Sequence, residues 1–236
     1  MTGGTRGLGF AIAKAFLAEG ASVMVSARTA GDFQLLKSEY PDRCLFHPAD
    51  VADPNSVERL MAATVEALGG LDVVVANAGV SCDGRIEDLE PAAWDAMVTT
   101  NLTGTFLCTR AAVPHMRDHG GVIINMSSSM ASRIAVGAAG YSATKAAIEM
   151  FTRTSAIELG QYGIRVNALS PGILDAGMGG RLAENDRVWA AYRKRFALGR
   201  AGRVGEAAQA AVFLASADAS YVNGAVLDVN GGLMWA

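Results

Sequence analysis

Thr2-Gly3-Gly4-Thr5-Arg6-Gly7-Leu8-Gly9 leads without a breaker into the apolar-rich stretch Leu8 to Glu19. Glycine tolerates positive φ and lets another backbone come close, so the octet reads as a tight turn opening a helix. Backbone N–H groups at the positive end of a helix suit a phosphate or pyrophosphate. A lone glycine-rich turn is a weak signal, and it gains weight from the strands and helices downstream of it.

Beyond the octet, short β-branched runs alternate with longer helical stretches. Ser22 to Ala27, Leu71 to Ala76, Val122 to Met126, Ile164 to Leu169 and Val226 to Val229 are short, β-branched-rich runs bounded by Gly, Asp or Pro. That is the pattern of parallel strands covered on both faces. Arg43 to His47 is a weaker strand. Leu8 to Glu19, Asn55 to Leu68, Pro91 to Asp118, Tyr141 to Tyr162 and Glu206 to Ser216 read as helices. In the third, Pro114 is expected to kink or break the helix. The alternation predicts an α/β fold, a doubly wound parallel sheet in three layers, and a single domain over residues 1–236. Asp175 to Leu198 breaks the rhythm with Gly177-Met178-Gly179-Gly180, Trp189, Tyr192 and five basic residues. It reads as a substrate lid, with an ordinary solvated helix as the alternative.

Of the 236 residues 51% are hydrophobic and 18% charged, enough to bury a full core and too apolar for disorder. Glycine, 27 of 236 or about 11% against a usual ~7%, follows no three-residue repeat, which excludes collagen. Twenty basic against 23 acidic residues give a formal net charge of −3, and no basic cluster marks a nucleic-acid face. Charges interrupt every apolar run before it could span a bilayer, and no signal-peptide pattern opens the chain. Cys44, Cys82 and Cys108 match neither a disulfide framework nor a zinc spacing and read as small buried apolar residues. His47, His115 and His119 imply no metal. The expectation is a soluble cytoplasmic protein without nucleic-acid, membrane or metal partners.

Further motifs sit where the strands end. Asp50-Val51 follows the weak strand, and Asn77-Ala78-Gly79 follows Leu71 to Ala76. Ser128 closes the run Val122 to Met126, Tyr141-Ser142-Ala143-Thr144-Lys145 opens the next helix, and Pro171-Gly172-Ile173 follows Ile164 to Leu169. Together with the glycine loop, this order and spacing resemble the short-chain dehydrogenases/reductases of classical type along nearly the whole chain. The resemblance implies a Rossmann-like sheet and a hydride transfer between a nicotinamide coenzyme and a secondary alcohol or ketone. It places Gly3, Thr5, Arg6, Gly7, Leu8 and Gly9 in the coenzyme loop and Asp50 and Val51 at the adenine. Asn77, Ala78 and Gly79 form the turn beside the coenzyme, and Pro171, Gly172 and Ile173 join the cofactor-binding set.

The choice of coenzyme follows from charge. Readers of NAD place a carboxylate after the second strand to hold the ribose 2′-hydroxyl, and that carboxylate repels a 2′-phosphate. Here the strand ends Ser26-Ala27-Arg28, with no acid before Asp32. The Arg28 guanidinium suits a phosphate, and Arg6 adds a second positive charge, so NADP(H) is expected over NAD(H).

Tyr141 and Lys145, i and i+4, share one helix face. A phenol titrates near pH 10, and bringing it to about 7 requires ~4 kcal/mol of preferential phenolate stabilisation. A lysine cation together with the charge of oxidised nicotinamide shifts it that way. On its own the pair resembles any surface Tyr/Lys spacing. The family resemblance assigns Tyr141 the proton and Lys145 the nicotinamide ribose and the tyrosine pKa. It also gives Ser128 the substrate oxygen, and Asn101 a water that links the lysine to solvent. Ser127 and Ser129 leave the serine register open by one residue. The resemblance further implies a homotetramer or homodimer that pairs the helices Pro91 to Asp118 and Tyr141 to Tyr162 and the chain ends near Leu233-Met234-Trp235-Ala236.

Three departures stand out. Family members usually have an apolar strand before the Thr-Gly of the loop, central in the sheet, whereas only Met1 precedes Thr2. The expectation is a late start that leaves an exposed gap, early melting and poor coenzyme binding, because the flanking strands could pair only by shifting ~9–10 Å. That expectation carries the alternative function, a non-catalytic or impaired nucleotide-binding protein. Ala176 replaces a common threonine, and Asn230 stands where an aspartate usually precedes the double glycine.

Overall fold

The computed structural model describes residues 1–177, 180, 189–190 and 193–233. In chain order come α1 (Gly7–Ala18), β1 (Val23–Ala27), α2 (Phe33–Glu39), β2 (Cys44–Pro48), α3 (Pro54–Leu68), β3 (Val73–Ala76) and α4 (Pro91–Met97). They are followed by α5 (Gly104–Met116), β4 (Gly121–Met126), α6 (Ala139–Leu159), β5 (Ile164–Pro171), α7 (Val204–Ala215) and β6 (Val226–Val229). Every ladder is parallel, in the orders β1–β2 and β3–β4–β5–β6.

Thr2 joins these two groups. It forms a parallel bridge to Ser26, and its N–H donates to the Val75 carbonyl at 3.0 Å. The Ser26 N–H donates to the Met1 carbonyl at 2.8 Å, and the Met1 nitrogen donates to the Met24 carbonyl at 3.0 Å. β1 and β3 therefore do not shift to pair with each other. The gap expected between them is occupied at its carboxyl end by Met1 and Thr2.

Pleating sends alternate residues of each strand to opposite faces. From β4, Val122, Ile124 and Met126 meet Ile12 of α1 and Ala208, Ala211 and Leu214 of α7. Ile123 faces the other way, with Val57 and Met61 of α3, Leu107 and Met116 of α5 and Ala156 of α6. Helices thus cover both faces of a parallel sheet, the three-layer doubly wound α/β arrangement the alternation predicts. Its carboxyl edge gathers the glycine loop and the turns after the strands.

Two local expectations are corrected. The helix expected over Pro91 to Asp118 runs on without a break, and its irregularity is the π-helical turn Val98–Thr103 between α4 and α5 rather than Pro114. Pro114 sits in the last turn of α5, where little helix remains for it to disrupt. α2 was unforeseen, because seven residues with Phe33 and Leu36 buried are too short to show a period. Cys44 and Cys108 are buried, whereas Cys82 is only partly so. The lid expectation rests largely on residues outside those described. Among the described residues no helix is long and apolar enough to cross a membrane.

Candidate active site

The glycine loop is shaped by contact with the turn after β3. The Asn77 side-chain amide donates to the carbonyls of Thr2 and Gly3, both at 3.0 Å. The Thr2 hydroxyl accepts from the N–H groups of Asn77 at 3.1 Å and Ala78 at 3.2 Å. A Cβ on Gly9 would lie 2.1 Å from the Gly3 carbonyl oxygen, and Gly3 and Gly7 have φ of 62° and 55°. These three positions admit only glycine, and Leu8 between them packs into the core beneath α1. Arg6 precedes α1 without a side-chain cap, and the first turn of α1 carries no acidic residue. The first N–H groups of α1 are thus left for an anion.

The segment after β1 lies against this loop. The Asp32 N–H donates to the Thr5 carbonyl at 3.1 Å, and a Cβ on Gly31 would lie 3.0 Å from the Thr5 hydroxyl. Arg6 and Arg28 are both exposed, and among the described residues neither has an ion pair or hydrogen bond. After β2, Asp50 is exposed and its carboxylate accepts from the Ala52 N–H at 2.9 Å, while Val51 packs beneath Gly104 of α5. After β5, the Gly172 N–H donates to the Val229 carbonyl at 3.0 Å, and a Cβ there would lie 2.8 Å from Asn230. The Ile173 carbonyl accepts from the Gly202 N–H at 3.0 Å. Asn230 itself accepts from the N–H groups of Gly232 and Leu233 at 3.0 and 3.2 Å, an Asx turn that an aspartate would make equally well. These positions ring one edge. A free helix end, two uncommitted arginines and close-approach glycines fit a phosphorylated dinucleotide.

Ser128, Tyr141 and Lys145 come together beside that ring. Ser128 lies close enough to the Tyr141 phenol to lower its pKa, and the Lys145 ammonium lies 5.5 Å from the centre of the tyrosine ring. Ser127 points away, donating to Glu149 at 2.8 Å, and Ser129 is buried in a short 3₁₀ turn. Lys145 is 4% exposed, and its ammonium donates to the Met126 carbonyl at 2.7 Å. Burial brings it down from an ordinary 10.5 to about 8. Tyr141 stays above the ordinary phenol value of 10: burial raises it most, the Ser128 hydroxyl lowers it, and the Asp83 carboxylate raises it further. In the chain alone, then, the net shift of the phenol runs opposite to the one expected from Lys145.

Asn101, completely buried in the π-helical turn, accepts from the Val80 N–H at 2.8 Å and donates to the Val80 carbonyl at 2.9 Å and to Thr144 at 3.2 Å. Gly79 fits between Asn101 and Lys145, its added Cβ 3.3 Å from the Asn101 amide oxygen and 3.7 Å from the lysine nitrogen. Asp83, Thr144 and Glu149 carry no motif and were not foreseen. A cavity of about 550 Å³ opens beside Ser142, walled by the segments around Ile86 and Ile134. Among the described residues no three metal-ligating side chains cluster.

The family described as enoyl-(acyl carrier protein) reductase matches residues 3–234. An uncharacterized oxidoreductase of Mycobacterium bovis is 40% identical over 240 residues, covering 98% of this chain and 94% of that protein. A cis-4-hydroxycyclohexanecarboxylate dehydrogenase of Sinomonas cyclohexanicum is 37% identical with the same coverage. A gluconate 5-dehydrogenase of Burkholderia cenocepacia, solved with NADP and tartrate, superposes with a TM-score of 0.93 at 32% identity, covering 98% of this chain and 92% of that one.

The buried lysine predicts a stability effect. Between pH 8 and 10.5 the unfolded chain holds a proton that folded Lys145 has released, so its contribution to stability rises with pH across that window. Below pH 8 both states are protonated and burial of the charge costs about 3 kcal/mol, at 1.36 kcal/mol per pH unit. Lys145→Met is expected to melt several degrees higher at pH 7, with the gain fading toward pH 10. Calorimetry across that range checks it, and a variant that melts lower at pH 7 contradicts it.

Proposed function

The chain belongs to the short-chain dehydrogenase/reductase family, classical type, and from that premise we propose an NADP(H)-dependent oxidoreductase interconverting a secondary alcohol and a ketone. The observation that carries the reading is the gathering of Ser128, Tyr141 and Lys145 in one place, the lysine 5.5 Å from the tyrosine ring, at the edge ringed by the glycine loop. Bound coenzyme supplies or accepts the hydride. Tyr141 gives the proton to the forming alkoxide in reduction and takes it back in oxidation. Ser128 donates to the substrate oxygen and stabilises the charge that develops there. Lys145, charged below pH 8, holds the nicotinamide ribose and favours the phenolate. Asn101 positions Lys145 and Tyr141 through Val80 and Thr144 and holds the water of the proton relay.

The relative named for a hydroxycyclohexanecarboxylate and the NADP-bound neighbour support the alcohol class and the coenzyme. The rival reading, a non-catalytic nucleotide-binding protein, drew on a loop without its strand, and the hydrogen bonds of Thr2 and Asn77 favour the enzyme. Three free cysteines accord with a cytoplasmic location. The reading also includes a homotetramer or homodimer. Phe106 of α5 (43% exposed) and Met150 and Ile157 of α6 (61% and 83% exposed) form an apolar face, with the Phe106 and Phe151 rings edge to face at 6.3 Å. A symmetric partner would cover it.

Three measurements test this reading. Tyr141→Phe is expected to lose at least ~10² in turnover while still binding NADPH, as for loss of a general acid; retained turnover places the proton elsewhere. Arg28→Asp is expected to move the NADP/NAD preference toward NAD by about 10²-fold, since charged hydrogen bonds are worth ~1.5–3 kcal/mol each. Equal use of both coenzymes by the unchanged protein contradicts the assignment. Light scattering at micromolar concentration is expected to give a dimer or tetramer, and Ile157→Asp a smaller species; a monomer in both refutes the assembly.

A further inference from the structure

We propose that the cavity beside Tyr141 selects ketones and secondary alcohols with a compact apolar body, of one to two fused rings, over polyhydroxylated ones. The inference rests on the oxidoreductase reading and names the substrate class of that site. The cavity's volume, about 550 Å³, lies in the range of pockets that hold whole small molecules. One end approaches the reacting groups through Met130, which lines it and whose N–H donates to the Ser128 hydroxyl at 3.2 Å, and through Ser142, which follows Tyr141 on α6. Its two walls are tied together by the Gly84 N–H, which donates to the Gly137 carbonyl at 2.9 Å.

The chemistry of the walls decides the class. Ile86, Ile134 and Val136 line the cavity and are 70%, 82% and 80% exposed, which puts them among the most exposed large apolar side chains described. The charged groups of the lining already have partners, within the lining itself or on the backbone. Arg85 lies 4.0 Å from Glu87, and Arg133 donates to the Leu233 carbonyl at 3.1 Å and to Ser132 at 2.9 Å. A substrate carrying several hydroxyls would lose water there and regain few hydrogen bonds. An apolar body would instead cover the exposed isoleucines and valine, leaving its carbonyl to Ser128 and Tyr141.

The test uses the full chain with NADPH and two ketone series. One comprises cyclohexanone, 4-methylcyclohexanone, 4-ethylcyclohexanone and 2-decalone, and the other dihydroxyacetone and fructose. In the first series kcat/KM is expected to rise about threefold to fourfold per added methylene, with the second series far below it. Ile134→Ser and Val136→Ser are expected to flatten that rise, while Leu35→Ser, on the exposed side of α2, leaves the slope unchanged. Turnover that is flat along the first series, or as fast with fructose as with 2-decalone, overturns the substrate class and leaves the oxidoreductase standing. An absence of NADPH oxidation with every ketone overturns both.

Discussion

Thr2 is the joint on which the sheet and the coenzyme edge both depend. Its backbone bridges Ser26 on one side and reaches Val75 on the other, so the two groups of strands share a plane through a single residue. Its hydroxyl holds two successive N–H groups of the turn after β3, and Asn77 returns two bonds to the loop. Each bond is worth only about 1 kcal/mol net. Their joint effect is geometric: the Asn77 amide occupies the space a side chain on Gly3 or Gly9 would need, at 2.8 and 2.5 Å from the added Cβ. The glycines make room for the asparagine, and the asparagine aims the glycines.

Asn101 plays the corresponding part for the reacting groups. A π-helical turn inserts one extra residue into a helix and changes which side chains face inward. Here it buries an asparagine completely, which is tolerable only because the amide is satisfied by Val80 and Thr144. Thr144 in turn donates to the Tyr141 carbonyl at 2.7 Å. Both amide protons are thus spent, so only the side-chain oxygen and the main-chain carbonyl, which accepts from Thr105 at 2.7 Å, remain as acceptors. A relay water would bind Asn101 as a donor, on one of those two oxygens.

The fold was legible because parallel strands covered on both faces leave short β-branched-rich runs such as Val122 to Met126, set between longer helical stretches. The helix irregularity was misplaced because proline is a visible breaker, whereas the π-helical turn carries Asn101, whose partners Val80 and Thr144 lie far away in sequence. Three consecutive serines could not be told apart by spacing, but the pleat separates them: Ser127 turns toward Glu149, and Ser128 toward Tyr141. The cavity walls left no local trace, since Gly84 meets Gly137 and Arg133 meets Leu233 only once the sheet has brought their loops to one edge.

The two titrating groups of the site are pulled in opposite directions by the same burial. Lys145 falls to about 8 and Tyr141 rises above 10, so the lysine gives up its proton before the tyrosine does. Burial thus weakens the charge with which the lysine could favour a phenolate. Asp83 adds to the asymmetry by opposing the phenolate at every pH where its carboxylate is ionised. In the chain alone, burial thus favours the protonated phenol. On the proposed reading, oxidation would need further positive charge beside Tyr141, and the edge that carries the glycine loop is where a cationic ring could be held.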